Sequence, residues 1–189
     1  MAQSPFPSRI EQSLSLGNLY EREIAPVFFA DLGWSHESAS SRQNWNEKFD
    51  YIARKKDKSL RVEVKAPKKC KADGSAHMIL LEHTGITGMP GWLRGNADVI
   101  LQFLSETKAI CYSRQQALSL YLPVPIAIQR FSSTNAPIQE WFGREGLSRK
   151  GLPNQDIIRW EPLQSFSLKI ETIAMYAKNS QRWEKIVQQ

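Results

Sequence analysis

Residues 60–66, LRVEVKA, alternate cleanly: Leu60, Val62, Val64 and Ala66 form one row, and Arg61, Glu63 and Lys65 the other. Period two with one apolar row predicts a strand. The stretch FDYIAR (49–54) alternates too, with Phe49, Tyr51 and Ala53 against Asp50, Ile52 and Arg54. The short segment KKDKS joins the two, which predicts a hairpin. Directly opposed residues of an antiparallel pair point to the same side. Matching the apolar rows sets Phe49, Tyr51 and Ala53 against Val64, Val62 and Leu60, and leaves Lys55–Lys58 as the loop. In that register Asp50 stands opposite Glu63, with Lys65 one step along on the same face. A slip of one residue would destroy the apolar match.

Upstream, Ser8 and Glu11 form a capping-box pattern that opens a helix running to Leu32 and ending at Gly33. Its apolar face carries Ile10, Leu14, Gly17, Ile24 and Phe28, with Glu21 filling the helical gap and Pro26 predicting a kink. Residues 1–7 read as a loose tail and 35–46 as a polar loop. Further strands are expected at 77–84, 96–104, 109–113 and 156–161. Ser113 is placed to cap a short helix over RQQALSLYL. QEWFGREG reads as a helical turn and ETIAMYAKNSQRWEKIVQ as a terminal helix. Proline-bearing residues 122–137 give no assignment, and 149–155 read as a loop. A helix, then a strand cluster, then helices predicts an α/β sandwich around a mixed sheet.

At 189 residues and 41% hydrophobic content, one domain is expected. The net charge is +6, which favours polyanionic partners. It is concentrated: Arg54, Lys55, Lys56, Lys58, Arg61, Lys65, Lys68, Lys69 and Lys71 are opposed within their stretch only by Asp57 and Glu63. Cys70 and Cys111 make no disulfide framework, and His36, His77 and His83 lack zinc-site spacing. The first residues lack a signal-peptide core, and no apolar run approaches the roughly 18 residues of a membrane span. A reduced, cytoplasmic location is the expectation, with no membrane partner.

Charge also changes the meaning of the hairpin. Opposed carboxylates at Asp50 and Glu63 repel, and a divalent cation is a natural compensation. Mg²⁺ is commonly held by one or two carboxylates together with waters and a substrate phosphate. A neighbouring lysine can orient the attacking water. These are the parts needed to hydrolyse a phosphodiester.

Asp50, twelve intervening residues and then Glu63-Val64-Lys65 resemble the signature of the PD-(D/E)xK nuclease superfamily, which includes type II restriction enzymes, archaeal Holliday-junction resolvases and many phage nucleases. The spacing is similar to that of the resolvases. Glu21 in GNLYEREI resembles the inward glutamate of their first helix, and GMPGWLRGNADVI (88–100) resembles a Gly-Trp…Ala-Asp segment of some phage-encoded members. Phe49 stands where the signature has proline. The resemblance covers roughly residues 8–120; residues 121–189 read as an extension packed on that core.

The resemblance implies a restriction-endonuclease-like, three-layer α/β/α sandwich with a central sheet of four to five strands. It implies a DNA endonuclease acting by attack of a metal-activated water, with Mg²⁺ as cofactor and Mn²⁺ also supporting activity, and no other small-molecule cofactor. Asp50, Glu63 and the Val64 carbonyl would hold the metal, Lys65 would orient the water, and Glu21 would orient the site or complete a second metal position. Many relatives are homodimers. Lys68, Lys69, Lys71 and Arg94 are candidate DNA contacts.

Several residues keep two readings. Glu21 either serves the site or pairs with a cation such as Arg54. Glu82 lies beside the site or faces water. Trp92 stacks on a base or plugs the core. His83 is read as structural, and Asp98 as a capping or turn residue. The alternative functions are a nucleic-acid-binding module that retains the fold without cleaving, and an interaction protein of a phage or mobile-element complex.

Overall fold

The computed structural model describes residues 9–67, 78–85, 87–121, 126–129, 141–144, 155–171 and 173–186. The expected tail at 1–7 and the candidate DNA contacts Lys68, Lys69 and Lys71 lie outside them. The described chain is mixed α/β, and its strands form two sheets.

The long N-terminal helix is present but interrupted. Helix α1 (Arg9–Leu19) passes through a π-helical turn (Tyr20–Ile24) into α2 (Ala25–Asp31). Pro26 carries no N–H, so the ladder loses a donor at this point, and the Ala25 N–H reaches back to the Tyr20 carbonyl in the wider spacing. The extra residue rotates the buried face. Tyr20, Ala25, Phe28 and Phe29 are buried, whereas Leu14, expected to face inward, is 57% exposed.

After Gly33, the expected polar loop contains a short strand and a helix. Strand β1 (Ser35–Ser38) precedes α3 (Ser41–Glu47), whose N-cap Ser40 forms a full capping box with Gln43. Strands β2 (Tyr51–Lys55) and β3 (Lys58–Lys65) then form the expected hairpin. Their register pairs Tyr51 with Val62, Ile52 with Arg61 and Ala53 with Leu60, as the apolar rows require. The loop is shorter than expected. Lys55 and Lys58 pair with each other, and only Lys56 and Asp57 turn, with Lys56 at φ 52° supplying the left-handed residue that tight hairpins favour.

Strands β5 (Val99–Ser105) and β6 (Lys108–Ser113) follow, and α4 (Arg114–Leu120) is capped by Ser113, whose hydroxyl accepts from the Gln116 N–H at 3.2 Å. The terminal segment is a hairpin rather than a helix: β10 (Ile173–Asn179) and β11 (Arg182–Ile186) turn through Ser180 and Gln181, both at positive φ. The reason is non-local. Strand β10 pairs with β6 along Ile173–Ala177, and its alternation sends Ile173 and Met175 to one core and Tyr176 to the other. The large sheet therefore has seven strands in the order β1-β2-β3-β5-β6-β10-β11, where four or five were expected. The β3–β5 pair is parallel and the other pairs are antiparallel.

The expected third strand, β4 (Met78–Thr84), leaves this sheet. It joins β9 (Ile157–Pro162), β8 (Trp141–Arg144) and β7 (Ile126–Gln129) in a second sheet ordered β4-β9-β8-β7. QEWFGREG thus contributes a strand, not a helical turn, because pairing with β9 and β7 satisfies its backbone. Helix α5 (Leu163–Lys169) follows β9.

Two apolar cores flank the large sheet. One lies under the N-terminal helices and gathers Tyr20, Phe28, Phe29, Tyr51, Val62, Val64, Leu101, Phe103 and Trp183. The other lies toward β4 and α5 and gathers Phe49, Ile79, Leu81, Trp92, Ile100, Tyr112 and Phe166. Among the described residues no helix is long and apolar enough to cross a membrane.

Candidate active site

Asp50 is held by a break in the hairpin. The β2–β3 ladder ends at Tyr51 and Val62, and the Asp50 N–H donates to the same Val62 carbonyl at 2.8 Å. On the other side the Asp50 carbonyl accepts from the Ala39 N–H at 2.7 Å. This irregularity overturns one expectation: Phe49 does not share a core with Tyr51 and Ala53 but crosses to the other. It also frees the Val64 N–H from the ladder, and the Asp50 carboxylate takes it, Oδ2 accepting at 2.7 Å. In a strand a residue's N–H and C=O point toward the same neighbour, so the Val64 carbonyl points to the Asp50 side as well. The second carboxylate oxygen accepts from the Asn44 side-chain amide of α3.

Glu63 and Lys65 occupy the row expected of them. Glu63 is 5% exposed, and its Oε1 is ion-paired with Lys65 Nζ. The Lys65 side chain keeps 29% of its surface, so the cluster reaches solvent through the lysine. Nζ stands 5.7 Å from the ring centroid of Trp92, which lies in a short 3₁₀ turn (Trp92–Arg94) and is 4% exposed. Trp92 therefore belongs to the core while its ring also supports the lysine. The adjacent Gly91 has a steric role: a Cβ there would stand 2.4 Å from the Glu82 carbonyl oxygen. This close approach lays the glycine loop along Glu82.

The electrostatics run through one lysine. Burial, and then repulsion from Glu63, push the Asp50 pKa up to about 7, although Lys65 and the Val64 N–H pull it back. Burial disfavours the charge on Lys65, but the Glu63 and Asp50 carboxylates outweigh it and hold the ammonium above its ordinary pKa. Glu21 and Glu82 are both raised by burial, relieved in each case by Lys65 and worsened by Glu63. Asp156, just ahead of β9, adds to the negative field at Glu82. Both undecided glutamates thus belong to the Lys65 cluster electrostatically. Arg54, the alternative partner for Glu21, instead pairs with Glu37 at 3.0 Å. Glu21 is placed by its backbone, whose carbonyl accepts from the Tyr51 hydroxyl at 2.5 Å.

Among the described residues no three His, Cys, Asp or Glu side chains form a ready-made metal-ligand group. The chemistry of the donors nonetheless fits a hard divalent cation. Asp50 and Glu63 offer carboxylate oxygens, and the upward shift of Asp50, set first by burial and then by repulsion from Glu63, is one that such a cation would relieve.

Other expected residues lie around this cluster or serve the scaffold. Arg94 ends the 3₁₀ turn and is exposed. Asp98 is a clamp: its carboxylate accepts from the Arg61 N–H at 2.8 Å and pairs with the guanidinium at 2.9 Å, tying β3 to the start of β5. His83 hydrogen-bonds the Thr84 hydroxyl at 3.0 Å. The sequence reading missed Asn44, although Ser40 and Gln43 ahead of it form the capping-box pattern that opens α3. It also missed Gln102, which pairs with Lys65 across the parallel ladder and is 1% exposed. Gln102 donates to the Met78 carbonyl at 3.4 Å and accepts from the Tyr112 hydroxyl at 3.3 Å. A lone amide in the apolar run VILQFL was the available signal.

Comparison with known proteins finds no matching family model, no matching curated protein and no matching solved structure.

Proposed function

We propose that the chain is a metal-dependent endonuclease of the PD-(D/E)xK type, hydrolysing phosphodiester bonds of DNA. One observation carries the reading. Asp50, Glu63 and Lys65 converge at the break in the hairpin, with two buried carboxylates sharing a single partly exposed lysine.

Asp50 and Glu63 would hold the cation, with the Val64 carbonyl as a further oxygen. When bound, a divalent ion supplies positive charge to the carboxylates and to the phosphate oxygens. The protein's own residues do the rest. Lys65 carries a proton throughout the neutral range, because its neighbours hold it charged. It therefore acts as a hydrogen-bond donor that orients a water or a phosphate oxygen, not as the base. Asn44 and the Val64 N–H fix the Asp50 carboxylate from two sides, so its orientation does not depend on the ligand. Exposed Arg94 would meet phosphate beyond the reacting centre. Water would attack phosphorus as one P–O ester bond breaks. The departing strand would leave with that oxygen and take up a proton while the attacking water gives one up to solvent, and no side chain forms a covalent intermediate.

The test is cleavage of labelled duplex, forked and single-stranded DNA, with RNA alongside, in EDTA, Mg²⁺ and Mn²⁺. Cleavage in either metal, absent in EDTA and abolished by Asp50→Ala, is the expected result. Equal cleavage by Asp50→Ala would remove the site assignment. Binding without cleavage in both metals would favour a binding module instead.

A further inference from the structure

Trp45 is 65% exposed, an uncommon position for so large a side chain. It lies on α3, one residue from the Asn44 that hydrogen-bonds Asp50. Lys48 closes the helix at φ 56°, and its Nζ stands 5.0 Å from the Trp45 ring centroid. This end of α3 is docked rigidly beside the glycine loop. The Glu47 carbonyl accepts from the Asn96 N–H at 2.6 Å. Gly95 approaches so closely that a Cβ there would stand 2.5 Å from Lys48 Cβ. Exposed Arg94 is the next residue back along that loop. An open indole and an ammonium beside it thus stand on the helix whose Asn44 holds Asp50, with a guanidinium on the adjoining loop.

We propose that Trp45 is a stacking platform for an unpaired base of the strand bound at Asp50, Glu63 and Lys65, with Lys48 meeting the neighbouring phosphate. This rests on the function proposed above and narrows its substrate class. Single-strand-binding surfaces combine aromatic faces with cations that follow the backbone. Away from its ends an intact duplex covers its base faces with their neighbours, so within a strand an exposed indole gains a partner only from a single-stranded, forked or flipped nucleotide. The placement on the helix whose Asn44 hydrogen-bonds Asp50, together with the cations nearby, favours a nucleic acid over a protein partner, which would use the tryptophan as an apolar anchor.

The experiment uses the full chain in EDTA, so that binding is read without cleavage. Oligonucleotides carrying 2-aminopurine at successive positions are offered as single strand, fork and blunt duplex. The expected result is quenching confined to one position of the single strand and fork. Trp45→Ala should abolish the quench and weaken binding to both by about tenfold. It should leave duplex affinity unchanged, while Trp45→Phe keeps most of the binding. An unchanged melting temperature for Trp45→Ala checks the fold. Equal affinity of wild type and Trp45→Ala for single strand and fork would overturn the proposal, as would absence of nucleic-acid binding. Cleavage is scored separately in Mg²⁺. Lost cleavage with an intact quench strikes the nuclease reading alone; intact cleavage without the quench strikes the stacking alone.

Discussion

Two buried charge clusters in this protein use nearly the same parts. Around Glu161, fully buried on β9, Arg159 pairs with one carboxylate oxygen at 3.0 Å and Lys169 of α5 with the other at 2.6 Å. Both cations lie over the Tyr121 ring, at 4.7 and 5.7 Å from its centroid. Around Glu63 there is also a lysine over an aromatic ring. The difference is the charge count. Glu161 has two cations to itself, whereas Lys65 answers Glu63 and Asp50 and relieves Glu21 and Glu82 as well. The first cluster is complete without a ligand. The second sets two buried and two half-buried carboxylates around one lysine, an imbalance that, on the proposed function, a bound cation would offset. Asp98, gripped by its own arginine on β3, makes the same point: its pKa is lowered despite burial, while that of Asp50 rises to about 7.

The largest expected effect separates the clusters by activity. On the proposed function, Lys65→Ala lowers single-turnover cleavage by about a thousandfold, whereas Glu161→Gln leaves the rate per folded molecule unchanged. Comparable losses in the two variants would mean that the Lys65 cluster has no special role.

The reverse contrast is expected in stability. Glu161→Ala leaves Arg159, whose side chain is 15% exposed, and Lys169 without their shared carboxylate. Breaking such a buried network costs about 3 kcal/mol, read as a lower urea midpoint. A loss under about 0.5 kcal/mol, the scale of an exposed pair, would show that the network contributes no more than a surface one.

This contrast also marks what was legible in the sequence. The register of β2 and β3 was readable because Leu60, Val62 and Val64 must meet Ala53 and Tyr51, and a slip would expose them. That brought Asp50, Glu63 and Lys65 together. The break at Asp50 was not readable, because it depends on Ala39 and on a side chain replacing a ladder bond. Strand β10 was misread as helix because its partner, β6, lies some 60 residues away and only pairing reveals its period. The capping box Ser40–Gln43 was in plain view, and overlooking it hid α3 and with it Asn44. The Glu161 network was invisible for a different reason. Arg159 and Glu161 are neighbours on one strand, but Tyr121 and Lys169 reach them only through the fold.

A smaller effect sharpens the comparison within the site. A ¹³C-detected carboxyl titration should place the Asp50 midpoint near 7. In Glu63→Gln it should move down toward the ordinary carboxylate range, because a repelling charge is lost and Lys65 is released from its partner. A midpoint unchanged by Glu63→Gln would mean that burial alone holds Asp50 up, and the two carboxylates would then lack the mutual repulsion that a shared cation relieves.

The smallest effect concerns Glu82, at the margin of the cluster. Burial raises its pKa, Lys65 and Lys48 pull it back only in part, and repulsion from Glu63 and Asp156 adds to the rise. The folded pKa therefore lies above that of the unfolded chain. Folding then takes up a proton between the two values, so the favourable contribution is complete below the unfolded pKa of about 4.5 and is lost as pH rises through the folded one. Above the folded pKa Glu82 is ionised in both states and its burial is a cost, which Glu82→Gln removes. The variant should melt higher than wild type at pH 8, and the advantage should fade by pH 4. Adding Mg²⁺ at pH 8 should shrink the advantage too, since a bound cation relieves the same crowding in the wild type. A variant that melts lower than wild type at pH 8 would show that Lys65 already balances Glu82, and the excess of negative charge would then end at Glu21, Asp50 and Glu63.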